Sequence, residues 1–102
     1  MSNISFSYEQ LPSFGVPMWR GQGLFKFENG WTVSIVYGSH AYCACNCQPT
    51  PKDSCYDAEV AIIKPNGSFA KFKSGDDVKG YTTADDIAGI MQWAASQPKE
   101  SV

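Results

Sequence analysis

The chain has 102 residues, of which 14% are aromatic and 18% are charged, and its formal net charge is −2. This composition indicates one globular domain over residues 1–102 and excludes a disordered segment. The weak negative charge argues against direct binding to nucleic acid or to acidic membranes, because both favour a basic surface. No apolar run approaches the roughly 18 residues that a membrane-spanning helix needs. The first residues lack the features of a secretory signal, so we expect a cytoplasmic protein with reduced thiols.

Residues 1–22 contain several prolines and glycines with aromatic side chains between them. We expect an irregular N-terminal arm that lays its aromatic residues over one edge of a sheet. The alternative is an exposed aromatic surface for a partner protein, since Trp, Tyr and Arg are favoured anchors at interfaces. Phe14, Trp19 and Arg20 are the candidate partner contacts on this arm.

Residues 23–36 predict a β-hairpin, because two apolar runs flank an Asn-Gly pair. A two-residue loop would mix aromatic and polar residues on both faces. A three-residue loop that ends at Gly30 instead pairs Phe27 with Trp31 and gives Gly30 the left-handed conformation. We predict the three-residue loop, because a slip of one residue moves every side chain to the other face. One face then carries Phe25, Phe27, Trp31, Val33 and Ile35.

Residues 57–73 predict a second hairpin, whose turn is Pro65-Asn66-Gly67. Proline presets its backbone angle for the turn, and glycine accepts a positive φ. The same three-residue geometry pairs Lys64 with Ser68. One face then carries Val60, Ile62, Ala70 and Phe72. Residues 74–82 follow as a predicted loop.

The last predicted element is an amphipathic helix that begins after Thr83. Thr83 is its expected N-cap, with Asp86 in the acidic position of a capping box. The apolar residues at helical spacing are Ile87, Ile90, Met91 and Ala94. Pro98 stops the helix, so residues 23–97 form the sheet and helix and residues 98–102 a tail. The sequence therefore predicts an α+β fold: an antiparallel sheet of about four sequential strands, packed by one C-terminal helix.

The long loop over residues 37–56 holds all the cysteines and the only histidine. Its candidate metal ligands are His40, Cys43, Cys45, Cys47 and Cys55. Thiolates and imidazole at this density suit zinc or cuprous copper. Two alternatives stay open, because the C-x-C-x-C spacing differs from the C-x-x-C pairs of zinc loops: reduced cysteines buried as small apolar residues, or a disulfide from Cys43 or Cys47 to Cys55. Tyr42 and Tyr56 are further candidate partner contacts, since loops often carry binding residues.

No catalytic motif is present in the sequence, neither a nucleophile elbow nor a zinc-protease or phosphate-binding motif. A nucleophilic Cys–His pair would need a geometry that spacing alone does not supply. The acidic pairs Asp76-Asp77 and Asp85-Asp86 are typical of turns and helix caps, with a divalent-cation site as the alternative. The lysines over residues 64–73 are typical of a protected strand edge, with a nucleic-acid platform as the alternative. We therefore predict that the protein is not an enzyme.

With these elements in place, residues 22–97 resemble a group of small bacteriophage accessory proteins. The motifs are the hairpin FENGWTVSIVYG, the strand DAEVAI, the turn PNG and the segment GDDVKGYTTADDIAGIMQW. The resemblance implies a small binding protein that inhibits a host protein complex in the host cytoplasm. An anti-CRISPR or other anti-defence inhibitor that acts by steric occlusion is the expected kind. The motifs are structural, so the resemblance assigns no functional residues, and the alternative function is a zinc-binding module built on the cysteine-rich loop.

Overall fold

The computed structural model describes residues 2–11, 18–44 and 55–99. The described elements are β1 (Asn3–Leu11), β2 (Met18–Lys26), β3 (Thr32–Gly38), β4 (Asp57–Ile63), β5 (Val78–Thr83) and α1 (Ala84–Ala95). The strands form one antiparallel sheet in the order β1-β2-β3-β4-β5. The α+β class with one C-terminal helix is therefore confirmed, while the sheet has five strands instead of about four.

The prediction of an irregular N-terminal arm is wrong, because most of that segment forms β1 and the start of β2. β1 pairs with β2 along its whole length without a register shift. The signal for this strand is the strict alternation of Ile4, Phe6 and Tyr8 with polar residues, a period of two that is typical of strands. The glycines and prolines that follow hid this signal. Phe14 lies outside the described residues.

The hairpin between β2 and β3 has the predicted register. Phe25 lies opposite Val33, and the Phe27 amide donates to the carbonyl oxygen of Trp31 at 2.8 Å. Gly30 has a φ of +90°, the left-handed conformation that the three-residue loop requires.

The second predicted hairpin forms only at its turn. The Lys64 amide donates to the carbonyl oxygen of Ser68 at 2.8 Å, so its predicted register is right. Beyond the turn, the returning segment makes one isolated bridge, between Ile63 and Phe69. On the side of β4 away from β3, the paired strand is β5, most of which was predicted as a loop. Gly80 and a register shift make β5 irregular, and this irregularity weakens its sequence signal.

Helix α1 begins as predicted. The Thr83 side chain accepts a hydrogen bond from the Asp86 amide at 3.4 Å. Its apolar stripe faces the sheet: Ala94 is fully buried, and Ile87, Ile90 and Met91 pack against the core. The buried core residues are Trp31, Val33, Val60, Ile62, Ala70 and Ala94.

The helix covers only part of one sheet face. α1 packs against β3, β4 and β5. In the described part of the chain, its backbone does not come close to β1 or β2. The helix-side face over β1 and β2 is therefore left without a covering layer from the helix. No helix in the described ranges is long and apolar enough to cross a membrane.

Candidate partner-binding face and cysteine cluster

The apolar residues of β1 lie on the same sheet face as the helix. Phe6 lies opposite Gly23, and Gly23 lies opposite Ile35. Ile35 in turn lies opposite Val60, which is buried beneath α1. Directly opposed residues of antiparallel strands share a face, so Phe6 belongs to the face that the helix covers farther along the sheet.

This uncovered part of the face exposes large apolar side chains. Ile4 is 62% exposed, Phe6 74% and Tyr8 54%. Half-buried Phe25 and Tyr37 continue the surface toward the helix. We call these five residues the aromatic shelf. Contiguous exposed apolar surface of this kind is typical of interaction sites in folded proteins.

The shelf is preorganised by ring packing over two glycines of β2. The rings of Phe6 and Phe25 meet edge to face with centroids 5.8 Å apart, and those of Tyr8 and Tyr37 do so at 6.1 Å. The hydroxyls of Tyr8 and Tyr37 also hydrogen-bond to each other. Edge-to-face pairing fixes the orientation of the exposed rings.

Glycine leaves room for the close approach of these rings. A Cβ atom on Gly21 would lie 2.7 Å from the Tyr37 ring, and one on Gly23 would lie 3.2 Å from the Phe6 ring. Strand glycines often mark such a close approach of another group. The glycines that obscured β2 in the sequence are therefore part of the shelf.

The candidate contacts Trp19 and Arg20 lie on opposite faces of β2. Half-buried Trp19 lies opposite Gln10 on the shelf side. Arg20 points to the other face, where its guanidinium forms an ion pair with Glu9 at 2.7 Å. Arg20 thus offers the shelf no charge, and Trp19 extends it at one end.

The two candidate tyrosines of the long loop lie at different places near β4 and β5. Tyr42 is 60% exposed beside β5, where its carbonyl oxygen accepts the Tyr81 amide at 2.8 Å. Tyr56 is 91% exposed and lines, with Tyr37, a cleft of about 320 Å³ beside the start of α1. Tyr56 therefore borders the shelf, and Tyr42 marks the opposite edge of the sheet.

The structure assembles a smaller metal-ligand group than the five residues that the sequence suggested. The side-chain ligand atoms of Cys43, Cys55 and Asp57 all lie within 4.8 Å of one another. His40 is exposed and does not belong to this group. Cys45 and Cys47 lie outside the described residues. Asp57 was not predicted, because it is the first residue of β4 and lies outside the cysteine-rich stretch.

Local hydrogen bonds hold this group together. The Ala44 amide donates to Asp57 Oδ1 at 2.7 Å, and the Gly38 amide lies 3.4 Å from the Cys43 sulfur. Cys43 is buried and free. The turn that follows β3 thereby carries Cys43 against the start of β4.

The two cysteines that the structure describes are in different states. Cys55 is disulfide-bonded. Because Cys43 is a free thiol, the predicted Cys43–Cys55 disulfide is wrong. The other predicted pairing, from Cys47 to Cys55, involves a residue outside the described ranges. The prediction that a cysteine of this loop is buried as a small apolar residue is right for Cys43.

A larger cleft of about 780 Å³ lies between α1 and the segment that precedes β5. Its charged lining residues have both signs: Lys71, Lys73, Lys79, Asp85 and Asp86. The Lys71 ammonium also pairs with Asp77 at 2.6 Å, and Asp85 and Asp86 lie in the first turn of α1. Carboxylates thus share this cleft with the lysines, an arrangement that does not favour a basic platform for nucleic acid.

Comparisons of the chain with protein-family models, curated proteins and solved structures returned no match. The bacteriophage relationship described from the sequence motifs stays a prediction.

Proposed function

We propose that this protein is a non-catalytic binding protein that occludes the surface of a partner protein with its aromatic shelf. The observation that carries the proposal is the part of the helix-side face, over β1 and β2, that the helix leaves uncovered. Ile4, Phe6 and Tyr8 each expose more than half of their surface there. On the same face, residues beneath α1 such as Val33 and Val60 are completely buried.

The shape and charge of the shelf favour a protein over other ligands. Small-molecule sites are concave pockets of roughly 300–1,000 Å³ that enclose most of their ligand. The hollow among the described residues of the shelf, beside Phe6 and Tyr8, is smaller, about 170 Å³. Surfaces that bind single-stranded nucleic acid interleave aromatic rings with cations. The two cations of β2, Arg20 and Lys26, both lie on the other face of the strand, where Arg20 is paired with Glu9. Protein interfaces combine an aromatic centre depleted of charge with a polar rim, which the shelf supplies.

The resemblance to bacteriophage accessory proteins extends the proposal to a class of partner. Such a protein would act in the cytoplasm of an infected host, on a host protein complex such as a defence complex. A preorganised surface suits an inhibitor, because little conformational freedom is lost when rigid aromatic rings dock. Occlusion requires no catalytic group from this chain.

Affinity capture from host lysate tests this function with one matched pair of variants. Phe6→Ser removes the most exposed ring of the shelf, and Phe69→Ser removes another exposed ring (48%) on the opposite face. We expect Phe6→Ser to lower recovery of a stoichiometric partner by about tenfold or more, as for interface anchors. Phe69→Ser should leave recovery unchanged. Equal recovery by the two variants, at unchanged melting temperatures, would contradict the proposal.

A second candidate function is favoured by the Cys43, Cys55 and Asp57 group. We propose that the reduced protein binds zinc through these three side chains, with an open fourth tetrahedral position. Zinc binds thiolates, so the disulfide at Cys55 must be reduced before the site can form. Zinc binding and the disulfide are thus mutually exclusive states of one loop.

The zinc proposal is tested by melting temperatures in both redox states. Zinc should raise the melting temperature of the reduced protein, and a chelator should reverse the increase. The oxidised protein, with Cys55 held in its disulfide, should not respond. A reduced protein that melts at the same temperature with zinc and with chelator would contradict this function.

A further inference from the structure

The two edges of the sheet differ in how they are protected. β5 has a register shift in its pairing and carries Lys79. Its Tyr81 has a φ of +53°, and the Tyr81 amide is taken by the Tyr42 carbonyl oxygen. Bulges, lysines and covering loops are the usual means by which proteins prevent pairing at an edge strand.

β1, at the other edge, has none of these protections among the residues that the structure describes. Its sequence NISFSYEQL contains no lysine and no proline, and its only charged residue is Glu9. Its pairing with β2 is regular from end to end. A long, regular and weakly charged edge strand is a template for another strand.

The alternation of antiparallel pairing identifies which backbone groups of β1 face outward. The Trp19 carbonyl oxygen accepts the Ser39 amide, and the Phe27 amide donates to the Trp31 carbonyl oxygen. The odd-numbered residues of β2 therefore bond toward β3. The even-numbered residues of β2 therefore bond toward β1, where they lie opposite its odd-numbered residues. The amides and carbonyls that point away from the sheet belong to Ile4, Phe6, Tyr8 and Gln10.

We propose that β1 pairs antiparallel with β1 of a second copy, about a two-fold axis at Ser7. Phe6 then lies opposite Tyr8 of the second copy, and Ile4 lies opposite its Gln10. Every outward amide and carbonyl of β1 gains a partner in this register. A symmetric interface of this kind closes on itself as a dimer.

The charge pattern of β1 suits a second copy. In the register centred on Ser7, Glu9 lies opposite Ser5 of the second copy. The two Glu9 side chains are then separated by about 13 Å along the strands, so like charges do not meet. The two-fold axis also places the helix-side faces of both copies on the same side of the joined sheet. Aromatic residues of one copy therefore lie opposite aromatic residues of the other across the new strand pair.

Dimerisation would join the two shelves into one continuous aromatic surface, with one copy of α1 on each side of it. The edge pairing uses outward backbone groups and leaves the exposed ring faces of the shelf open. The dimer does not depend on the proposed function, because it can be measured with the purified chain alone.

Analytical ultracentrifugation of the purified chain over a wide concentration range is the first test. We expect a species of twice the 11.2 kDa chain mass. Phe6→Pro should convert this species to a monomer, because proline removes an outward amide yet is tolerated on an edge strand. A wild-type chain that remains monomeric throughout the range would overturn the proposal.

Cysteine cross-linking tests the register without disturbing the fold. Ser7→Cys places two thiols opposite each other across the axis, at a Cβ separation of about 5 Å. Ser5→Cys places them about 13 Å apart by the strand rise, beyond disulfide reach. We expect a covalent dimer under mild oxidation with Ser7→Cys only. Equal cross-linking by the two variants, or none by Ser7→Cys, would contradict this interface even if a dimer forms.

Discussion

The side-chain amide of Asn29 donates a hydrogen bond to the carbonyl oxygen of Gln97 at 2.7 Å. The same nitrogen donates to the carbonyl oxygen of Ala94 at 2.8 Å, and Asn29 Oδ1 accepts the Trp31 amide at 3.0 Å. The turn between β2 and β3 thereby donates to carbonyl oxygens in the last turn of α1 and just beyond it, where helices lack regular backbone partners. This contact fixes the helix beside β3 and contributes to leaving the shelf uncovered.

Asn29→Asp should destabilise the protein. A carboxylate still accepts the Trp31 amide, but it cannot donate to the helix carbonyls and it places negative charge at the negative end of the helix dipole. We expect the free energy of unfolding to fall by about 2 kcal/mol, which chemical denaturation would measure.

Asn66→Asp is the matched control, because Asn66 occupies the equivalent position of the other turn. Its Oδ1 accepts the Ser68 amide at 2.9 Å and the Ser68 hydroxyl at 2.7 Å. A carboxylate keeps both bonds, so we expect a change within about 0.5 kcal/mol. Equal effects of the two substitutions would show that Asn29 does not hold the helix.

Gly38→Ala should cost more stability than Gly67→Ala. Both glycines have positive φ, +105° and +89°. A Cβ on Gly38 would lie 2.7 Å from the Trp19 carbonyl oxygen, whereas one on Gly67 meets nothing within 4 Å. Gly67→Ala should therefore lose about 1–2 kcal/mol from backbone conformation alone, and Gly38→Ala should lose clearly more in thermal or chemical unfolding. Similar losses would contradict the close contact of β2 with the turn after β3.

Thr83→Ala should lower the free energy of unfolding by about 1 kcal/mol, because it removes the N-cap of α1. Thr83→Ser retains the capping oxygen and should lose much less. Circular dichroism during denaturation would follow the helix directly. An alanine variant as stable as the serine variant would show that the cap contributes nothing to the helix.

Asp57→Asn should weaken zinc binding by the reduced protein by about tenfold or more, as the loss of a charged ligand usually does. An amide oxygen can still accept the Ala44 amide, so the oxidised protein should keep its melting temperature. His40→Ala is the control, since His40 is exposed and lies outside the ligand group. Isothermal titration calorimetry with zinc measures the affinity of each reduced variant. If His40→Ala weakened binding and Asp57→Asn did not, the sequence-based ligand set would be favoured over the geometric one.

The parts of the fold that were predictable are those encoded by neighbouring residues. Gly30 and its flanking apolar runs determined the first hairpin register, and Thr83 with the apolar stripe determined the start and buried face of α1. β5 was missed because Gly80 and a bulge interrupt its pattern. β1 was not predicted because its short alternating pattern is followed directly by a segment rich in proline and glycine, which is typical of irregular structure.

The candidate site was less predictable because it depends on the extent of helix coverage. Phe6 and Val60 lie on one face, and only the position of α1 makes the first exposed and the second buried. Nothing in the local sequence around Phe6 encodes that difference. Asp57 was missed for a related reason. It is the first residue of β4, and only the fold of the turn after β3 places Cys43 beside it.

Site-specific photo-crosslinking from position 6 tests the binding function most directly. A photoreactive phenylalanine at Phe6 occupies the centre of the shelf, and the same group at Phe69 serves as the control on the opposite face. We predict that position 6, and not position 69, forms an adduct with a different protein in host lysate. An adduct of twice the chain mass alone would support the dimer and contradict the binding function. The absence of any adduct specific to position 6 would contradict both.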